Sequence, residues 1–483
     1  MITRLAAGLR RILKSIALAA TVLAAASAQN PVPQIVGPVK PMAVAPGSGA
    51  FTLTIYGANF VSGAVVNWNG QPRSTAFVSA RELQAQILAT DVAANTAGLI
   101  SVTNPAPGGG NSSASWAQVE VHAPTTNIVT NPPSVDFIGG WTLAIADFNH
   151  DGILDLLGYE LGGVGTMLGN GDGTFQPTNW VSTQPYYSPG GVAYGDFNGD
   201  GILDFVSPVG NDVSLTPSQL MVDLGNGDGT FRFASRFGNF SGGWVQPMVG
   251  DFNGDGKLDV VVSNTPQSVT VFLGNGDGTF QSPVTSKGEG PGVSGPLLVG
   301  DFNGDGKLDL LFERQNSLPR LSQIFFLAGN GDGTFQKPQK LVSLQGGCVF
   351  GPQILMSDFN GDGKLDFAFC NYSQIGVMLG NGDGTFQKPI LAPAGVFQTF
   401  TFAAGDFNSD GKTDLLISQG GVNPTVAFLL GNGDGTFKKA QSVNLAGYQG
   451  EAGIVPADFN HDGLLDFGFL DASGGGVILF VQQ

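Results

Sequence analysis

Charge, histidine and sulfur are scarce in this chain. Only 12% of its 483 residues are charged, and the two cysteines, Cys348 and Cys370, are too few for a disulfide scaffold or a multi-cysteine zinc site. They allow one bridge at most, and an exported chain would favour it. With only His122, His150 and His461 present, a histidine-based catalytic triad is not expected. Beyond the first thirty residues no apolar run approaches the roughly eighteen that a membrane-spanning helix needs, so membrane insertion is not expected. Basic residues are few, 21 against 38 acidic ones, and the net charge of −17 makes nucleic acid a poor partner.

Glycine, by contrast, is abundant at 74 residues, which together with the low charge points to many turns and an all-β class. The N-terminus reads as an export leader. Arg4, Arg10, Arg11 and Lys14 precede an apolar run from Ile16 to Ala26, and Ala26-Ser27-Ala28 suits cleavage after Ala28. Residues 1–28 are therefore expected to be a signal peptide and the mature chain to be secreted, periplasmic or at the cell surface. Loss of those four basic residues takes the net charge from −17 to −21.

The acidity is organised. The nonapeptide Asp-Phe-Asn-x-Asp-Gly-x-x-Asp begins at Asp147, Asp196, Asp251, Asp301, Asp358, Asp406 and Asp458, at spacings of 49, 55, 50, 57, 48 and 52 residues. Seven copies at such a period define seven units of one design. Positions 1, 3, 5 and 9 carry oxygen-bearing side chains and position 6 is Gly. Alternating acidic positions on a tight turn can wrap oxygen ligands around Ca²⁺, with the carbonyl of position 7 adding one more. The expected ligands are Asp147, Asn149, Asp151, Ile153 and Asp155 in the first copy, then Asp196, Asn198, Asp200, Ile202 and Asp204 in the second. The third supplies Asp251, Asn253, Asp255, Lys257 and Asp259, and the fourth Asp301, Asn303, Asp305, Lys307 and Asp309. Asp358, Asn360, Asp362, Lys364 and Asp366 form the fifth set and Asp406, Asn408, Asp410, Lys412 and Asp414 the sixth. Asp458, Asn460, Asp462, Leu464 and Asp466 complete the seventh, for about seven calcium ions, one per unit. Plain turn chemistry also uses Asp, Asn and Gly, but it gives no reason to keep four ligand positions through seven copies. Helix–loop–helix calcium sites are excluded because position 12 is never acidic and the flanks, such as Leu258-Asp259-Val260-Val261-Val262, are strand-like.

A second motif, Gly-Asn-Gly-Asp-Gly-Thr-Phe, occurs six times, with its Asn at 170, 226, 275, 330, 381 and 432. It reads as a hairpin turn, and its Phe as a plug between neighbouring units. Together the motifs hold 27 of the 32 aspartates. Each unit thus reads as a four-stranded antiparallel meander, the form of a propeller blade. The seventh lacks the second motif, and Pro133 to Ile138 are expected to supply its outer strand and close the ring.

These Asp-x-Asn-x-Asp-Gly-x-x-Asp repeats resemble FG-GAP/VCBS repeats, related to the propeller of integrin α-subunits. The resemblance covers residues 133–483 and implies a seven-bladed β-propeller with calcium in hairpin loops on one face. Residues 33–123 differ. Phe51-Thr52-Leu53-Thr54-Ile55-Tyr56-Gly57-Ala58-Asn59-Phe60 and Val65-Val66-Asn67-Trp68-Asn69-Gly70 alternate short strands with turns, as a β-sandwich does. They resemble the IPT/TIG family of immunoglobulin-like domains. Residues 124–132, rich in Pro and Thr, read as a linker.

Length varies chiefly between the two motifs, at Pro208–Ser218 and Glu313–Ser322, in connections expected on the face opposite the calcium loops. That face is expected to expose some of Trp141, Trp180, Tyr186, Tyr187, Trp244, Tyr372 and Tyr448, suited to stacking on sugars or anchoring proteins. The resulting expectation is an extracellular binding or adhesion module for glycan or protein. The alternative is a calcium-dependent polysaccharide lyase or hydrolase using a carboxylate pair from Glu160, Glu289, Glu313 and Glu451, all placed in those loops. His150 and His461 fall at the fourth position of their nonapeptides, expected to face solvent.

Overall fold

The computed structural model describes residues 29–112, 117–125, 130–131, 134–135, 143–160, 163–180, 191–210, 217–240, 245–264, 268–287, 297–316, 321–345, 354–371, 374–396, 401–419, 421–422, 425–445, 449–471 and 476–482. Among them the chain is all-β apart from one 3₁₀ turn, Ala89–Val92, and no helix is long and apolar enough to cross a membrane.

Two sheets form the N-terminal unit. Gln34–Ile35, Phe51–Ala58, Glu82–Ile87 and Thr75–Ser79 make one. Ala43–Val44, Ala117–Val121, Thr96–Asn104, Val65–Trp68 and Gln71–Arg73 make the other, with Gly110–Asn111 on Thr96–Asn104. Leu53, Ile55, Val66, Trp68, Leu83, Val102 and Val119 alternate inward along their strands and fill one shared core.

Seven further sheets follow. The first six are four-stranded meanders, each holding one nonapeptide between its first and second strands. In the third, for example, Pro247–Gly250 pairs with Asp259–Asn264, then Ser268–Phe272, then Val284–Lys287, all antiparallel. Second strands are buried on both faces, which is why they read as unbroken apolar runs; Val260, Val261 and Val262 are all 0% exposed. First strands of successive sheets touch, from Ala193–Gly195 through Pro247–Gly250, Leu297–Gly300, Ile354–Ser357 and Thr401–Gly405 to Gln449–Ala457. That last strand touches Leu143–Ala146 of the first sheet, and Tyr194 Oη donates to the Ile145 carbonyl at 2.8 Å, linking the first and second.

The second-motif phenylalanines pack between sheets as expected. Each meets the position-2 Phe of the preceding unit's nonapeptide: Phe231 on Phe148, Phe280 on Phe197, Phe335 on Phe252, Phe386 on Phe302 and Phe437 on Phe359. Phe175, in the first sheet, meets Phe459 of the last at 6.0 Å.

In the seventh sheet the outer strand comes from before the first nonapeptide, slightly earlier than read from the sequence. Thr130–Asn131 and Ser134–Val135 both pair antiparallel with Gly476–Gln482. This sheet gains an unforeseen inner extension as Gly421–Val422 pairs with Gln449–Gly450. The two long connections also differ from expectation. Asp204–Gly210 and Pro217–Gly225 in the second unit, and Asp309–Asn316 and Leu321–Leu327 in the fourth, absorb most of the added length as longer hairpin strands. Glu313 therefore lies within a paired strand opposite Ile324 at 2% exposure, and not in a loop.

Candidate functional site

The seven nonapeptides adopt one geometry. The position-1 carboxylate accepts the amide of the position-6 Gly at 2.6–3.0 Å in every copy, and the position-5 carboxylate accepts the position-7 amide at 2.8–3.2 Å. Position 4 is left-handed even where it is not Gly: His150, Ser409 and His461 have φ of 62°, 56° and 57°. His150 is exposed, but His461 is half-buried beside the turn of the first unit, and burial pushes its pKa down. The expectation that both face solvent holds for His150 alone.

Position 9 has a role that was not read from the sequence. All seven of these aspartates are 0% exposed. In the first five units one oxygen accepts the amide of the first Gly of the second motif, as Gly274 N to Asp259 Oδ1 at 2.8 Å, and the other the position-2 Phe amide, as Phe252 N to Asp259 Oδ2 at 2.9 Å. In the sixth, Asp414 accepts only the Gly431 amide at 2.7 Å, and its Oδ2 is buried without a partner. The carboxylate thus staples the two motifs of a unit together. In the seventh unit the Gln482 amide replaces the glycine on Asp466, and the Gln482 side chain donates to the Phe407 carbonyl at 2.9 Å. On Phe197, Phe252, Phe302, Phe359 and Phe459 a turn-glycine amide fills that place, as Gly435 does on Phe359.

Burial, and repulsion from the carboxylates at positions 1 and 5, raise the position-9 pKa to about 7 in Asp155, Asp204, Asp309 and Asp366 and to about 8 in Asp259 and Asp466. Burial likewise raises Asp251 to about 6, and Asp406 and Asp458 to about 7. Each turn brings three mutually repelling carboxylates and an Asn amide into one short segment, oxygen donors of the kind a hard divalent cation takes, although among the described residues no group of three acidic side chains converges closely enough to hold an ion as it stands.

The N-terminal unit lies on this face, which nothing in the repeats announced. The Val32 amide donates to Asp251 Oδ2 at 3.1 Å, Arg81 meets Asp301, Lys40 meets Asp358, and Ser409 Oγ donates to Glu120 Oε2 at 2.8 Å. In the seventh loop Gly463 fits under the carbonyls of Val121 and Thr96, where a Cβ would come within 2.5 Å of oxygen. Loops three to seven are thereby covered, and their position-1 aspartates are only 1–6% exposed. Loops one and two instead border a cleft of about 710 Å³ between the two parts of the chain. Its walls are Asn67, Ser101, Thr103 and Asn111 on one side and Asp147, His150, Asp196 and Asp200 on the other, with Leu99, Ile145 and Ile202 between. Asn67 Nδ2 donates to Ser101 Oγ at 3.3 Å and Thr103 Oγ1 at 3.1 Å, and Thr103 Oγ1 to Asn111 Oδ1 at 2.6 Å, so that the polar wall is pre-arranged.

Of the aromatic candidates, Trp180 lies on the outer strand Asn179–Trp180 at 41% exposure, its ring over Gly165. Trp141, Tyr186, Tyr187, Trp244, Tyr372 and Tyr448 lie outside the described residues, as does Cys348. Cys370 is 2% exposed and is not a free thiol.

Comparison with known families returns the FG-GAP-like repeat at residues 147–207, 213–262, 251–312, 358–417 and 406–469, more than half of the chain and inclusive of all seven nonapeptides. The chain belongs to the FG-GAP-like repeat family. No curated protein sequence matches this FG-GAP-like chain. Among solved structures it is similar to a lectin of Agrocybe aegerita described as recognising non-reducing terminal N-acetylglucosamine, at 18% identity and a TM-score of 0.46, over 79% of this chain and 94% of that one. It is also similar to an auxiliary nutrient binding protein of Bacteroides ovatus, at 13% identity and a TM-score of 0.38, over 94% and 98% of the two chains. No residue assignment rests on either likeness.

Proposed function

We propose that the protein is an extracellular glycan-binding module whose seven sheets form a seven-bladed propeller with calcium in its nonapeptide loops. In this reading residues 1–28 are a cleaved signal, the N-terminal unit is an IPT/TIG-like sandwich, and Cys348 and Cys370 are bridged. The cyclic order of first-strand contacts and the Phe175–Phe459 contact between first and last sheets support the ring. Calcium would be held by positions 1, 3, 5 and 9 and the position-7 carbonyl, and it supplies the positive charge that the buried carboxylates lack.

The observation that carries the binding reading is the cleft. At about 710 Å³ it falls in the size range of small-ligand sites. It combines a hydrogen-bonded amide and hydroxyl wall with apolar residues between, and a sugar presents hydroxyls and a C–H face to match. A glycan array probed with and without calcium tests this. Asn67→Ala is expected to weaken the best hit at least tenfold and Trp180→Ala to leave it unchanged. The reverse pattern would move the site to the opposite face, and turnover of a polysaccharide would replace binding by catalysis. That catalytic alternative has already lost Glu313 as a loop carboxylate, since it is buried within a strand.

A further inference from the structure

The N-terminal unit treats the covered loops differently, and the difference is one of charge. On loop five, Lys40 Nζ lies 2.8 Å from Asp358 Oδ2, an oxygen that already accepts the Gly363 amide. On loop four, Arg81 Nε lies 3.4 Å from Asp301 Oδ2 and Arg81 Nη2 donates to the Asp301 carbonyl at 3.3 Å. Neither cation is a stray surface chain. The Lys40 backbone pairs in both directions with Thr54, and its ammonium lies 5.5 Å from the centre of the Tyr56 ring, which itself packs on Gly363. The Arg81 carbonyl accepts the Gly57 amide at 3.0 Å, and the guanidinium lies over Gly304, so close that a Cβ there would be 2.7 Å from Nη1. Loop six receives from this unit no cation, only the buried side chain of Glu120, 2% exposed, and the only cation paired with its carboxylates among the described residues is the half-exposed Lys438, 3.8 Å from Asp410. Loops one and two face the cleft, and no cation of the described N-terminal residues pairs with them.

We propose that Lys40 and Arg81 are resident counter-ions that take the place of calcium in loops five and four, so that the folded chain loads five loops and not seven. Each occupies the position-1 carboxylate that would be the first calcium ligand, offsets one of the three negative charges in the loop, and repels an arriving divalent ion. Both are delivered on paired backbone, so the loop does not have to order them. The inference rests on the calcium reading of the nonapeptides.

Calcium titration of the mature chain by calorimetry, carried to millimolar concentration because extracellular sites are often as weak as about 10⁻⁴–10⁻³ M, tests it. Five ions are expected for the wild type. Asp255→Ala, in loop three, should reduce the number to four, whereas Asp305→Ala and Asp362→Ala, in loops four and five, should leave it at five. Lys40→Gln with Arg81→Gln should add two ions, and Lys40→Arg alone none. Seven ions in the wild type, a loss of one ion in Asp305→Ala or Asp362→Ala, or no gain in the double variant overturns the proposal. Absence of any calcium binding removes the calcium reading itself, an outcome distinct from all of these.

Discussion

Asp259 shows what a ninth-position aspartate does before any metal is considered. Its two oxygens hold the amides of Gly274 and Phe252 inside a fully buried joint. Replacing it by Ala would leave both amides without a partner, at about 1–3 kcal/mol each. Urea unfolding in the presence of a chelator should register that loss, which a residue serving only as a calcium ligand would not produce under chelation. The same buried carboxyls set a pH dependence. Their pKa values in the fold, about 7 to 8, exceed the ordinary 3.8, so the metal-free fold binds protons more tightly than the unfolded chain. Its stability should therefore fall as pH rises from about 4 through about 8. Melting temperatures in chelator are expected to decrease between pH 5 and pH 8, and millimolar calcium, which binds the deprotonated form, should lessen the decrease, leaving the share of Asp309 and Asp366 in loops four and five. A flat profile in chelator would show that the carboxyls are not desolvated. The repeated loop positions were legible in the sequence because they recur. The staple was not, because its partners are backbone amides, which no residue code reveals.

Strands and turns were the most legible level. Glycine-rich motifs at a fifty-residue period and short apolar runs marked the meanders, and the Phe of each second motif was read correctly as a plug. Hairpin length was misread. In the fourth unit an insertion containing Glu313, Arg314 and Gln323 looks polar enough for a loop, yet the strands continue to Asn316 and resume at Leu321. Polar side chains are tolerated there because they satisfy one another, Arg314 Nη2 donating to Gln323 Oε1 at 2.6 Å. Contacts between sheets depend on aromatic interlocking. Phe280 stacks on Phe237 at 4.1 Å and meets Phe197 edge-on at 5.9 Å. Phe280 is only partly buried, so Phe280→Ala should cost less than a full core truncation, about 2–3 kcal/mol, seen as a lower urea midpoint. A change under 1 kcal/mol would mean that the turn and not the ring holds the two sheets together.

Docking of the N-terminal unit belongs to the scale of the whole molecule and had no sequence signature. It is made by single residues, Val32, Lys40, Arg81 and Glu120, scattered through a segment without repeats, each meeting a loop far away in the chain. Gly463 tests it. The residue has φ of 86° and lies under the Val121 carbonyl, so Gly463→Ala should both strain the loop and lift the unit. Limited proteolysis between residues 123 and 130 is expected to accelerate severalfold, and an unchanged rate would mean that the contact at loop seven is dispensable.

The pairing of Thr130–Asn131 and Ser134–Val135 with Gly476–Gln482 also decides how the molecule responds to tension. Thr130 lies opposite Gln482 and Val135 opposite Val477. A pull applied at residues 130 and 482 acts on the same end of this antiparallel ladder, and the hydrogen bonds then separate one pair at a time instead of sharing the load in shear. The seam is a zipper under force, and a molecule stretched between those points would peel open at its seventh sheet first.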